Sequence, residues 1–296
     1  MNRSLAVGFT MLILLLLMTF IGPYISYIDR NIEHLGAVYT DDGILVPPFS
    51  PSLDFLLGSD RQGRDVLSLL VVGARETLFV LLAIVAIRFA CASVLGIGAY
   101  YSSAIKALLA LWNQVFSFMP SIFFVIFVMG LPFIIFSEQR QLWFILTIAL
   151  VEVGRSAKIL HGSIEQVSKK SYVEAGVVSG CTPFTLFIRY FWPSLRIPLV
   201  TNFITDMGRA LFLLAQFAVI GVFLQFSFDS LRYGGVDTVN DSYIWPSLLH
   251  NIHQDILSAQ WVVLSTVGII AYTMMTFHLL SDGLGNYYEK KYNRIQ

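Results

Sequence analysis

Six apolar stretches leave this chain few ways to fold. They run over residues 5–28, 77–100, 109–136, 142–157, 199–226 and 258–280. A helix needs about 20 apolar residues to cross a bilayer, so stretches of this length read as membrane spans. The balance of the chain agrees: 56% of its residues are hydrophobic and 13% charged, against about 25% charged in a soluble domain. The pattern predicts an all-α polytopic membrane protein with six transmembrane helices. A net charge of +0 provides no global field to draw nucleic acid. No GxxxxGK[ST] pattern occurs, so the chain carries no phosphate-binding loop of that kind. Cys91 falls in an apolar stretch and Cys181 in a polar one; at different depths they predict neither a disulfide nor a zinc site. Asn2-Arg3 before an apolar run resembles the start of a signal peptide. No small-x-small cleavage site follows, so we expect a retained first span.

Charge fixes an expected orientation. Arg3, Lys106, Lys158, Lys169, Lys170, Arg189, Arg196, Lys290, Lys291 and Arg294 fall on one side of the alternation. Asp29, Glu33, Asp41, Asp42, Asp54, Asp60, Asp65, Asp229, Asp237 and Asp241 offset the cations on the other. Cations favour the cytoplasmic side, which places both termini inside. The expected organisation is a first helix (1–28), an outer loop (29–76) and a core of five helices (77–296) with a cytoplasmic loop at 158–198. In the outer loop, Val66, Leu67, Leu69, Leu70 and Val71 give one apolar side, with Arg64, Asp65 and Arg75 beside it. That pattern predicts a surface helix in the headgroup layer. In the second outer loop, Gly234-Gly235 reads as a turn.

The polar stretch 171–198 reads as two short helices. Ser171 can cap the first, and Gly180 can end it in the left-handed conformation. Thr182-Pro183 is an N-cap followed by a first-turn proline, and Pro193 and Pro198 should bend or break the chain as it re-enters apolar sequence. The spacing also resembles the Glu-Ala-Ala loop of ABC importer permeases. Glu174-Ala175-Gly176 stand for the first three positions, Gly180 follows at the right offset, and Tyr190, Trp192 and Pro193 fall on the Ile, Leu and Pro positions. The third position and the two apolar ones depart from the pattern. The resemblance implies a coupling helix that seats on a separate ATPase through Tyr172, Glu174, Ala175, Gly176, Gly180 and Pro183.

A second resemblance is longer. Leu57-Gly58-Ser59-Asp60-Arg61-Gln62-Gly63-Arg64-Asp65-Val66-Leu67-Ser68, then Gly73-Ala74-Arg75, is similar to the signature of the dipeptide/oligopeptide/nickel branch, the OppC/DppC-type permeases. Gly58, Asp60, Gly63, Arg64, Asp65 and Arg75 carry it. Weaker likenesses occur at Gly154-Arg155, at Trp245-Pro246-Ser247-Leu248-Leu249 and at Leu279-Leu280-Ser281-Asp282-Gly283-Leu284. Together they imply a type I ABC importer permease. Such a subunit works with a homologous second permease, two ATPases and an extracellular substrate-binding protein in the bacterial plasma membrane. It is not an enzyme and holds no cofactor; ATP and magnesium belong to the ATPases. Short peptides are the implied substrate, with nickel or a metal chelate as the alternative.

Four charges stand out within the spans: Arg88, Glu152, Asp206 and Arg209. A charge near mid-span costs at least about 2.5 kcal/mol on insertion scales, so Arg88 should face protein or a hydrated cavity. Glu152 and Asp206 are its candidate partners. Asp206 and Arg209, three apart, are expected to pair on one helix face. These four are candidates for the pathway, or else structural ion pairs. A non-ABC ion-coupled carrier would use the same four as a relay; a copurifying ATPase separates the two classes. His250 and His253, with Asp255 nearby, form a weak metal candidate.

Overall fold

The apolar stretches fold as helices, and the computed structural model describes residues 3–40, 43–222, 224, 226–230, 236–240 and 242–292. In chain order the first helices are α1 (Arg3–Phe20), α2 (Val66–Tyr101), α3 (Ser103–Phe118), α4 (Ser121–Met129), α5 (Pro132–Ile135) and α6 (Arg140–Val151). Then come α7 (Val153–Ser168), α8 (Ser171–Val178), α9 (Pro183–Leu186), α10 (Trp192–Val219), α11 (Ile252–Ser258) and α12 (Gln260–Tyr292). The described structure also has short 3-10 helices at Gly22–Tyr24 and Trp245–Leu249 and two antiparallel hairpins: β1 (Val38–Thr40) with β2 (Gly43–Leu45), and β3 (Phe226–Ser230) with β4 (Val236–Asn240). The expected turns at Asp41-Asp42 and Gly234-Gly235, and the C-terminal Arg294, lie outside the described residues.

Among the described residues, four segments are long and apolar enough to cross a bilayer: Arg3–Phe20, Val66–Tyr101, Pro183–Val219 and Gln260–Tyr288. The pair α3 and α4 qualifies only when taken together, and it is bent by 89°. The span expected over 109–136 is therefore not one straight helix. Pro120 stands before α4 and Pro132 opens α5; a proline lacks the N–H and clashes with the preceding turn, so each starts a new helix. The span expected over 142–157 is also divided. α6 stops at Val151 and α7 starts at Val153, with Glu152 between them at φ −100°, ψ 6°.

Other boundaries differ from the sequence reading for local reasons. α2 does not begin at 77. Asp65 Oδ2 accepts the Ser68 N–H at 2.8 Å and the Ser68 hydroxyl at 2.5 Å, an N-cap that starts the helix at Val66. Val66, Leu69, Leu70, Val71 and Ala74 are buried in protein, not laid in a headgroup layer. α10 ends early because Gly221 takes φ +83°. Val222 N–H then reaches Phe217 O at 2.9 Å and Gly221 N–H reaches Ala218 O at 3.0 Å, a Schellman cap. Pro193 and Pro198 do not break the chain. Phe187–Phe191 forms a π-helical turn, in which Trp192 N–H reaches Phe187 O. Pro193 stands in the first turn of α10, and the helix runs on through Pro198.

The described residues pack as two compact units. The first comprises 3–8, 82–207 and 277–292; the second comprises 9–81 and 208–276. The second unit is centred on Trp245, which is fully buried. Its indole donates to Leu70 O at 2.7 Å, and its N–H to Thr77 Oγ1 at 3.0 Å. In the first unit α7, α8, α9 and the start of α10 share a core of Leu160, Ile164, Val167, Val173, Leu186, Phe191 and Leu195.

Candidate coupling surface and buried charge cluster

The polar loop is a folded object with its own cap chemistry. Lys170 precedes α8 in extended conformation without a side-chain cap, so Ser171 is the first helical residue and not the cap. Glu174 lies in the first turn, where a negative charge suits the helix dipole. Gly180 ends α8 at φ +76°. Cys181 N–H bonds Gly176 O at 3.1 Å and Gly180 N–H bonds Val177 O at 3.0 Å, so a side chain at 180 would strain the Schellman turn. Thr182 then caps α9, accepting the Thr185 N–H at 3.3 Å, with Pro183 opening the helix.

Packing sorts the six loop candidates into inner and outer. Gly176 is buried; a Cβ there would stand 3.0 Å from the Tyr190 ring and 3.2 Å from Leu186. Its smallness serves contact within the loop, where the resemblance places it on the ATPase-seating surface. Tyr172 stacks on Tyr190, ring centroids 6.4 Å apart, and its hydroxyl lies 3.2 Å from Ser194 Oγ. Glu174, Ala175 and Pro183 are exposed. Beside them the loop displays Val177, Val178 and Phe184, the last two at 87% and 75% exposure. These three were not among the sequence candidates; the loop carries many apolar residues, and the sequence does not say which of them packing leaves bare.

The second constellation is buried. Arg88 on α2 is fully enclosed. Its Nη2 donates to Ile148 O at 3.0 Å and its Nε to Ala149 O at 3.4 Å, carbonyls left open where α6 ends. Nη1 lies 3.5 Å from Glu152 Oε2. Glu152 is also held by Arg155 Nη2 at 2.6 Å and accepts the Ser121 hydroxyl at 3.2 Å. The same Arg155 nitrogen lies 3.1 Å from Asp206 Oδ1, and Ser156 Oγ donates to Asp206 Oδ2 at 2.6 Å. Asp206 is fully buried. Two arginines and two carboxylates cancel, which lets the group sit in low dielectric.

Three of the four intramembrane candidates are thus brought together, and Arg88 does pair with Glu152. Asp206 pairs with Arg155 and Ser156, not with Arg209 as expected; Arg209 is exposed. The sequence reading missed Arg155 as the shared member, although it stands three residues after Glu152, the spacing of one helix face.

Most of the signature residues of 58–75 are engaged in local structure. Asp60 accepts the N–H groups of Gln62 and Arg64, both at 2.9 Å, and pairs with the Arg64 guanidinium at 2.7 Å. Gly58 and Gly63 turn the chain at positive φ. Arg61 clamps α11, pairing with Asp255 at 2.6 Å and donating to Gln254 and to Ser258, the latter at 3.0 Å. Arg75 is exposed, its guanidinium 5.9 Å from the centre of the Phe79 ring. Asp255 is therefore taken by an arginine; His253 is exposed, and no cluster of three or more metal-binding side chains forms among the described residues.

Helical spans, a capped loop and a buried neutral charge cluster describe a membrane component. Residues 89–235 match the family of binding-protein-dependent transport system inner membrane components. Over 96% of its length the chain is 22% identical to the dipeptide transport system permease protein DppC of Haemophilus influenzae, covering 89% of that protein. It is 25% identical to DppC of Bacillus subtilis, over 99% of this chain and 83% of the relative. With the oligopeptide transport system permease protein OppC of Escherichia coli it shares 22% identity, over 96% of this chain and 85% of the relative. The class is therefore a multi-pass transport permease of the inner membrane, not an enzyme. Within it, the chain belongs to the ABC importer permeases of the DppC/OppC kind.

Proposed function

We propose that the chain forms half of the membrane pathway of an ATP-driven importer of short peptides. Energy arrives through the loop 171–198 from separate ATPase subunits. The observation that carries this reading is the rigid α8–α9 unit with Val177, Val178 and Phe184 bare on its outside. An apolar patch held on a capped, internally packed loop suits a protein partner, because docking costs it little ordering entropy. Substrate class follows the names of the relatives. In this reading a second permease completes the pathway and an extracellular binding protein delivers the peptide. The chain crosses the membrane six times, with the third crossing broken at Pro120 and the fourth at Glu152, and both termini lie in the cytoplasm.

Val178→Asp with Phe184→Asp tests the coupling surface. Both side chains are exposed, so folding should change by no more than about 0.5 kcal/mol. The expected result is normal membrane insertion with loss of the copurifying ATPase and of peptide uptake. Full ATPase binding and uptake in this variant would remove the loop from the coupling role.

A further inference from the structure

Both ends of the loop lead directly to the buried charge cluster. α7 enters the loop and α10 leaves it. Near the loop the two helices share one apolar core, Leu160, Ile164 and Val167 from α7 with Leu195 from α10. Farther on they are joined again, by Arg155 and Ser156 of α7 on Asp206 of α10. At 1.5 Å per residue the two joints are roughly 15 Å apart along either helix. Apolar contact alone is non-directional and lets helices slide. The polar joint does not. A slip of a single residue, about 1.5 Å, would exceed the slack in contacts of 3.1 and 2.6 Å and leave a fully buried carboxylate without a partner.

The joint continues beyond the two helices. Arg155 also holds Glu152 at the break between α6 and α7, and Arg88 holds Glu152 from α2 while binding the open carbonyls of α6. We infer that Arg155 and Asp206 are positioning residues of a strut that makes α7 and α10 move as one body. A displacement of the loop is then delivered to α2 and α6 through Glu152 and Arg88, and is not lost as sliding between the loop's two stems. This rests on the coupling role proposed above. The residues touch no substrate and no ATPase; they act through the helices they join.

The test is the double variant R155Q/D206N in the assembled transporter. It removes both charges at once, so no buried ion is orphaned, and Arg88 with Glu152 remains a neutral pair. Peptide uptake and ATP hydrolysis are measured together in proteoliposomes. The expected result is an intact complex that still hydrolyses ATP but moves about tenfold less peptide per ATP, within the range coupling free energies supply. Wild-type peptide per ATP in the double variant overturns the strut. A wild-type complex that moves no peptide with ATP overturns the permease reading and the strut with it. A second measurement needs no weakened variant: spin labels at E165C and R196C, with Cys91 and Cys181 replaced by alanine. Their separation should be the same with and without ATP. A change larger than a one-residue slip, about 1.5 Å, would show that the stems slide, and the strut would fall.

Discussion

Asp65 and Arg88 show how one side chain can set a boundary far more sharply than its neighbours. Asp65 is read in the sequence as a charge for the headgroup layer, yet its carboxylate caps α2 through Ser68. Asp65→Ala should destabilise the chain by about 1 kcal/mol, the usual worth of an N-cap. Asp65→Ser should recover most of it, since serine also caps. Thermal unfolding in detergent compares the two, and equal loss in both would deny the cap. Arg88 stabilises two carbonyls and a carboxylate at once. Arg88→Gln would leave the cluster with one net buried negative charge, a change that costs about 3–5 kcal/mol when a buried pair is broken. We expect poor assembly of this variant, recovered in Arg88→Gln/Glu152→Gln. A single variant as stable as wild type would mean that the guanidinium is solvated in the membrane-embedded protein.

At the scale of elements, the loop's shape depends on Gly176 and Gly180 in different ways. At Gly180 the backbone angle is the constraint, φ +76° with open space around it. Gly180→Ala should cost about 1–2 kcal/mol of strain and reduce uptake moderately without disturbing packing. At Gly176 the constraint is space: a larger side chain meets Tyr190 and Leu186. Gly176→Leu should lever α8 away from α9 and the π-helical turn, abolishing uptake while leaving the membrane helices in place. Limited proteolysis of membranes would report this as new cleavage within 171–198. An unchanged digest with normal uptake would mean that the loop core repacks freely. The helix breaks at Pro120 and Glu152 belong to the same scale. The first follows from proline chemistry; the second arises where Arg88 satisfies carbonyls that α6 leaves open.

For the whole molecule, orientation is the property that cation placement argues most directly. Lys169→Cys should stay unlabelled by an impermeant thiol reagent added to intact cells, and Asp54→Cys should react; both positions are exposed. The reverse pattern would invert the topology. The sequence alone determined that this is a helical membrane protein, because apolar length and charge sparsity leave no soluble alternative. It also determined the turn between α8 and α9, because Gly180 and Pro183 act through their own backbones and Thr182 caps the helix that follows it directly. Tertiary structure alone decided which charges meet. Arg88, Arg155 and Asp206 come from α2, α7 and α10, and helical periodicity relates residues only along one helix, so it suggested Arg209 for Asp206 where the fold supplies Arg155. Likewise only packing decided that the apolar side of 66–71 faces protein, since an amphipathic pattern states that a face is covered and not what covers it.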